Sequence, residues 1–300
     1  MQKRWICEED QGLRTCHKIK KQLLHKKTTY QEIQIFDSIN FGKILVIDGI
    51  VQLSTSDEHL YHEALVHPIA LTHPNPKTAL ILGGGDGATL REILGYNVIE
   101  KVEIVEIDLE VIKYCRKFLP ELMKNAFEDP RVQIICDDAK RYLEGTKRKY
   151  DLIIQDLTDP LPHSPSEQLY TVEHFQQVHA RLNEDGLFVT QATTLYPNCM
   201  IFATIYNTLR QVFPVVRAYS TYIPSYAGIE GFIIGSKKYD PVKLSRKTIE
   251  SRILKRKLGD LKWYEAPTHK AAFTIPKEIR TTLENTSQIS TKKLPVNYKK

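Results

Sequence analysis

Long apolar runs are missing from this sequence. Nothing approaches the roughly 20 residues of a membrane span, and no apolar core of a signal peptide follows Met1. The expectation is a cytoplasmic protein with no membrane partner. Cysteine is sparse: Cys7, Cys16, Cys115, Cys136 and Cys199 are odd in number and form no CxxC pair. They read as reduced structural thiols. No His/Cys cluster has zinc spacing, so no metal is expected. Repeats and low-complexity tracts are also lacking. Glycine is thin at 14 of 300 residues, which makes four within five positions, 83 to 87, conspicuous.

Charge is present but divided. The net +6 combines +5 over residues 1–30, −10 over 31–236 and +11 over 237–300. A basic chain can serve nucleic acid, but the acidic middle has the wrong sign for phosphate. It suits a cationic substrate, and no nucleic-acid partner is expected.

The glycine cluster lies in Thr78-Ala-Leu-Ile-Leu-Gly-Gly-Gly-Asp-Gly-Ala-Thr-Leu-Arg-Glu92. An apolar run, a glycine turn and a helix start form the opening of a nucleotide-binding βαβ unit. A second apolar run, Lys101–Glu106, ends in an acid at about the spacing of a ribose-binding carboxylate. Two further runs lead into Asp137-Asp138 and Asp156. Ligands of open parallel sheets bind beyond the carboxyl ends of the strands. Asp86, Glu106, Asp138 and Asp156 thus describe one acidic pocket.

Before this unit, residues 1–28 show no firm pattern. Tyr30–Phe36, Lys43–Ile47 and Ile50–Leu53 alternate as strands, with turns at Asn40-Phe-Gly42 and Asp48-Gly49. Ser56-Asp57-Glu58 opens an amphipathic helix that closes at His73-Pro-Asn-Pro76. Past Asp156, helices at about 171–183 and 198–212 separate strands at 186–192, 215–220 and 231–235. The fold class is α/β, with seven strands in a mostly parallel sheet behind a small antiparallel β unit. The expected division is 1–57, 58–240 and a basic extension, 241–300, whose last twenty residues look frayed. Leu157–Tyr170, with three prolines, is a lid or a plain surface connection.

A glycine loop with a ribose-binding acid implies a nucleoside-bearing ligand. Asp86 stands where a pyrophosphate would have to lie and repels one. A sulfonium ligand has no phosphate. Decarboxylated S-adenosylmethionine, with its purely cationic tail, suits Asp86 better than S-adenosylmethionine. Asp156 and Asp159 supply carboxylates that can accept a proton from an attacking amine and hold a distant ammonium.

With these residues in place, the chain resembles the polyamine aminopropyltransferases, the spermidine synthase family. The resemblance runs from about Tyr30 to Asp240. It includes Tyr30-Gln31, Leu45-Val-Ile-Asp-Gly49, Asp57-Glu58, Tyr61-His-Glu63, His73-Pro-Asn-Pro76, Gly83-Gly-Gly-Asp-Gly87 and Asp156 with Thr158-Asp-Pro160. It implies a methyltransferase-like Rossmann domain behind an N-terminal β domain. It implies transfer of an aminopropyl group from decarboxylated S-adenosylmethionine to putrescine or spermidine, releasing 5′-methylthioadenosine, with no cofactor. By position, Asp156 matches the proton acceptor. Gln31, Gln52, Gly83, Gly85, Asp86, Glu106, Asp138 and Ala139 match the donor site. Tyr61, His62 and Asp159, with Asp86 and Asp156, match the amine site. Homodimers or homotetramers are implied. Leu157 and Leu161-Pro-His-Ser164 depart from the common pattern and resemble the thermospermine synthase branch, leaving acceptor length open. An S-adenosylmethionine methyltransferase and a non-catalytic polyamine- or nucleoside-binding module are the alternatives.

Overall fold

The computed structural model of the chain describes residues 5–10, 12–196, 199–259 and 261–297. The first unit is a five-stranded antiparallel sheet in chain order: β1 (Trp5–Asp10), β2 (Leu13–Lys27), β3 (Glu32–Ser38), β4 (Lys43–Ile47) and β5 (Ile50–Ser54). Asp48 and Gly49, at φ 50° and 84°, make the expected two-residue turn. The stretch before Thr28 is therefore not patternless: Trp5–Asp10 and Leu13–Lys27 pair as a long hairpin, hidden in the sequence by a lysine-rich second strand. Cys7 and Cys16 face each other across it and form a disulfide. This corrects the reading of both as free thiols. Cys115, Cys136 and Cys199 are free.

Helix α1 (Glu58–Thr72) follows. It is not amphipathic: from Tyr61 to Thr72 every residue is buried. It packs on strands of the second sheet and on the helix that follows the glycine turn. Pro68 sits within it, yet the helix runs on to Thr72.

The second sheet has the order β11-β12-β10-β9-β6-β7-β8. Its strands are β6 (Thr78–Gly83), β7 (Lys101–Glu106), β8 (Val132–Cys136), β9 (Tyr150–Asp156), β10 (Leu182–Thr194), β11 (Val215–Ile223) and β12 (Gly228–Ser236). Only β12 runs against its neighbours. The central strands are buried on both faces, as parallel strands between helix layers must be. On β6, Ala79 and Ile81 join one core while Leu80 and Leu82 join the other. The intervening helices are α2 (Ala88–Leu94), α3 (Leu109–Phe118), α4 (Pro120–Met123), α5 (Ala139–Gly145), α6 (Val172–Arg181) and α7 (Met200–Arg210). Residue 198, where the last of these was expected to begin, lies outside the described residues.

The C-terminal extension forms α8 (Arg246–Lys255), α9 (Ala266–Ala272) and α10 (Lys277–Asn285). Its basic residues are not simply solvated. Arg256 donates to the carbonyls of Ala70, His73 and Pro74, and Arg252 to those of Leu71 and Thr72. The carbonyls of Ala70, Leu71 and Thr72 are among those the end of a helix leaves unsatisfied, and cations suit that end of its dipole. Of the last twenty residues, expected to be frayed, those described, 281–297, are tied down: Ser290 and Val296 are buried, and the Val172 amide donates to the Ser290 carbonyl.

The buried Glu63 carboxylate of α1 accepts the backbone amides of Lys262, Trp263 and Tyr264 at 2.7–2.8 Å. Glu63→Ala strands three donors. It should cost about 2–4 kcal/mol and raise amide exchange across 262–264. An unchanged melting temperature would show that this clamp is idle.

Candidate active site

The strand order reverses between β6 and β9, where α/β sheets open a ligand crevice. Gly83, Gly84 and Gly87 all have left-handed backbones, with φ of 81°, 72° and 85°. A Cβ on Gly83 would stand 2.2 Å from the Asp156 carbonyl oxygen. Gly84 N–H donates to that same oxygen at 2.9 Å. The glycine turn is thus tied to the end of β9, and Asp86 is carried to Asp156.

The Asp156 carboxylate accepts from the Tyr61 hydroxyl at 2.9 Å and the Thr89 hydroxyl at 2.6 Å. Burial and the charge of Asp86 raise its pKa above the usual carboxylate value. Asp86 accepts from the Ala88 amide at 2.7 Å and faces His62 Nε2 at 3.6 Å. One polar atom each from His62, Asp86 and Asp156 fall within 4.8 Å of one another.

His62 is 2% exposed. Its Nδ1 lies 2.8 Å from the Glu58 carboxylate. Burial disfavours the imidazolium, but Glu58 and Asp86 outweigh it and lift the pKa to about 9. Glu58 is held at about 2 against its burial by His62 and Arg91. Arg91 of α2 grips Glu58 with both terminal nitrogens, at 3.1 and 3.0 Å. Arg91, Glu58, His62 and Asp86 therefore form a line of alternating charge.

Glu106 ends β7. Burial, with the charges of Asp108 and Asp86, raises it to about 7, although the Asp108 amide donates to it at 2.9 Å. A Cβ on Gly85 would reach 2.9 Å from Glu106 Oε2, so glycine leaves this face open. Asp108 caps α3 and accepts from Thr28 and Gln31, which binds the small sheet to this end of the crevice. Gln52 instead turns onto the Ile50 carbonyl at 3.2 Å. Asp138 caps α5 through the Arg141 amide at 2.9 Å, with Ala139 buried behind it.

Asp156, Asp86, Glu106 and Asp138 follow four adjacent strands, β9, β6, β7 and β8. They are a row of about 14 Å rather than one pocket. The first three interact, and Asp138 stands at the far end. On the opposite side, Gln191 donates to Asp159 at 3.1 Å, to the Leu157 carbonyl at 2.9 Å and to the Tyr170 hydroxyl at 2.8 Å. The Ser166 hydroxyl donates to the Asp159 carbonyl, so the proline-rich loop is pinned at its base. Tyr226 packs edge-on to Tyr61 and donates to the Gln52 carbonyl. Sequence reasoning missed Thr89, Arg91, Gln191 and Tyr226. Of these, only Thr89 carries a signal, two residues past the last glycine of the turn.

Two family models cover the chain: the spermidine synthase tetramerisation domain over residues 4–55 and the spermine/spermidine synthase domain over 58–246. A polyamine aminopropyltransferase of Saccharolobus solfataricus is 44% identical over 93% of each chain. Polyamine aminopropyltransferase 2 of Hyperthermus butylicus is 41% identical over 97% of this chain and 95% of its own. A spermidine synthase solved with the transition-state analogue AdoDATO superposes with a TM-score of 0.89 at 31% identity, covering 95% of this chain and 97% of its own. Spermidine synthase from Thermotoga maritima gives 0.85 at 30%, covering 95% and 96%. The chain therefore belongs to the spermine/spermidine synthase family and is a transferase of the polyamine aminopropyltransferase kind.

Proposed function

We propose that this enzyme moves the aminopropyl group of decarboxylated S-adenosylmethionine to an amine of putrescine or spermidine. The observation that carries the reading is the order of the acids along the sheet edge. An amine beside Asp156, an aminopropyl ammonium at Asp86, a ribose at Glu106 and an adenine near Asp138 and Ala139 fit one extended ligand pair. Gly83 and Gly85 give that donor close access to the backbone, and Gln31 and Gln52 flank its nucleoside. Tyr61, His62 and Asp159 line the amine side. No metal or further cofactor enters the scheme.

In the step itself, a neutral amine nitrogen attacks the carbon next to the sulfonium. The C–N bond forms, the C–S bond breaks, and its electron pair stays on sulfur as neutral 5′-methylthioadenosine. The new ammonium hands one proton to the Asp156 carboxylate. A free alkylamine titrates near pH 10, about where lysine does. A carboxylate whose own pKa is raised is a better match for that proton than an ordinary one. Tyr61 and Thr89 fix its two oxygens, leaving only positioning and electrostatics to provide the rate. His62 balances the charge of Asp86. The argument against a methyl donor is the same acid, because Asp86 repels the carboxylate of S-adenosylmethionine.

The same proposal makes residues 1–57 an assembly unit, with the exposed Trp5 and Leu13 of the outer hairpin available to other copies. It makes 58–240 the catalytic unit and 241–300 a buttress of α1. A tetramer or dimer in the cytoplasm completes it. Among the described residues no helix is long and apolar enough to cross a membrane. The Cys7–Cys16 disulfide is compatible with a cytosol such as that of hyperthermophilic archaea.

Asp156→Asn should remove most turnover, on the order of 10²-fold or more, while 5′-methylthioadenosine still binds, as calorimetry would read. Loss of nucleoside binding instead would assign Asp156 elsewhere. Product analysis with putrescine, spermidine and agmatine tests the reaction, and tight binding of S-adenosylmethionine without transfer to any amine would reject it.

His62 carries a pH signature. Its folded pKa, about 9, lies above the unfolded 6.5. Its stabilisation is therefore complete below pH 6.5 and lost as pH rises through 9. Denaturant titrations of wild type should lose on the order of 3 kcal/mol more than His62→Gln across that window. Parallel curves would mean the imidazolium is not formed.

A further inference from the structure

Glu230 has no task in the reaction above. It lies on β12 opposite Thr194 of β10 and Thr221 of β11, and is only 5% exposed. The β10–β12 register breaks between Gln191 and Thr194, with Thr193 left-handed at φ 72°. Such an irregularity re-aims side chains and is common beside active sites. Among the described residues, Glu230 has neither an ion pair nor a side-chain hydrogen bond. A buried carboxylate in that position is costly and is neutralised by protonation or by a cation from outside. Burial, then the charge of Asp159, pushes its pKa well up. The hydroxyl groups of Tyr61, Tyr170 and Tyr226 all lie within the field of Glu230, and each also lies within that of Asp156. Glu230 therefore shares these three tyrosines with Asp156, from the far side of β10.

We infer that Glu230, with Asp159, seats a second ammonium of the acceptor and selects a triamine over a four-carbon diamine. The inference rests on the proposed aminopropyl transfer. Strand geometry sets the length. Glu230 is two strands from Asp156 and about two residues further out, a Cα separation of roughly 12 Å. The nitrogens of a four-carbon diamine are five bonds apart, roughly 6 Å when extended. A triamine such as spermidine spans nine bonds and reaches from the reacting amine to the far wall.

The test is Glu230→Gln, measured in two ways. In steady-state assays, KM for spermidine should rise about tenfold or more, as loss of a charge-assisted contact implies, with a smaller change in kcat. KM for putrescine should rise much less. In thermal melts without ligand, the variant should be more stable than wild type, because an unpaired buried acid is gone. Spermidine should then raise the melting temperature of wild type more than that of the variant. Equal KM changes for both amines, or a ligand-free variant less stable than wild type, would overturn the role. Failure of wild type to transfer to any amine would reject the proposed reaction instead. The difference in spermidine-induced melting shift would still decide on Glu230.

Discussion

The molecule depends on one backbone contact: the glycine turn after β6 lies directly on the Asp156 carbonyl. Nothing larger than hydrogen fits at Gly83, because the oxygen would be 2.2 Å from a Cβ. That closeness does more than shape a turn. It fixes the distance between two carboxylates on strands that the chain visits seventy residues apart. Neighbouring strands stand about 4.8 Å apart, and the turn brings Asp86 back across that gap. Burial, with Asp86 this close, raises the pKa of Asp156, which is a property the reaction can use and a cost the fold must carry.

The cost is met by a chain of charges outside the crevice. His62 touches Asp86 on one side and Glu58 on the other, and Glu58 is gripped by Arg91. Each buried charge has a partner of opposite sign, so the line ends at Arg91, whose guanidinium also reaches the Leu122 carbonyl. Removing His62 takes from Asp86 its cationic partner in the line and leaves Glu58 with Arg91 alone, and loss of a buried partner costs more than the pair itself contributes. Two of the four members sit on α1, which explains why that helix is so heavily tied down. Asp57 at its start accepts from Ser54 and Ser225, Glu63 holds the extension, and Arg252 and Arg256 cover its end.

Much of this was readable from residues alone. Apolar runs ending in acids gave β6, β7 and β9 because strands buried on both faces are apolar throughout, and β8, a partly exposed edge strand, through its apolar residues alone. Asp-Gly at 48–49 marked its turn because few other pairs tolerate two positive φ angles. What escaped depended on partners distant in sequence. The β1–β2 hairpin is held by pairing with β3 and by the Cys7–Cys16 bridge, and its lysines give no alternation to read. The Glu63 clamp joins positions two hundred residues apart. Glu230 looked like a loop residue because the apolar pattern starts at Gly231, whereas the strand begins at Gly228.

The acidic pocket was the instructive partial success. Four acids at strand ends do share one sheet edge, as the sequence implied. The strand order, which sequence alone did not supply, spreads them into a row. A compact cluster of four carboxylates would suit a metal or a single small cation. A row of about 14 Å suits a long ligand with different groups along its length. Glu106 and Asp138 are therefore not surplus charge around Asp156 but separate stations, and the row continues past Asp156 to Asp159 and Glu230 on the other side. The two ligands of an aminopropyl transfer meet end to end, and a straight sheet edge with acids along it is the simplest surface that holds them so.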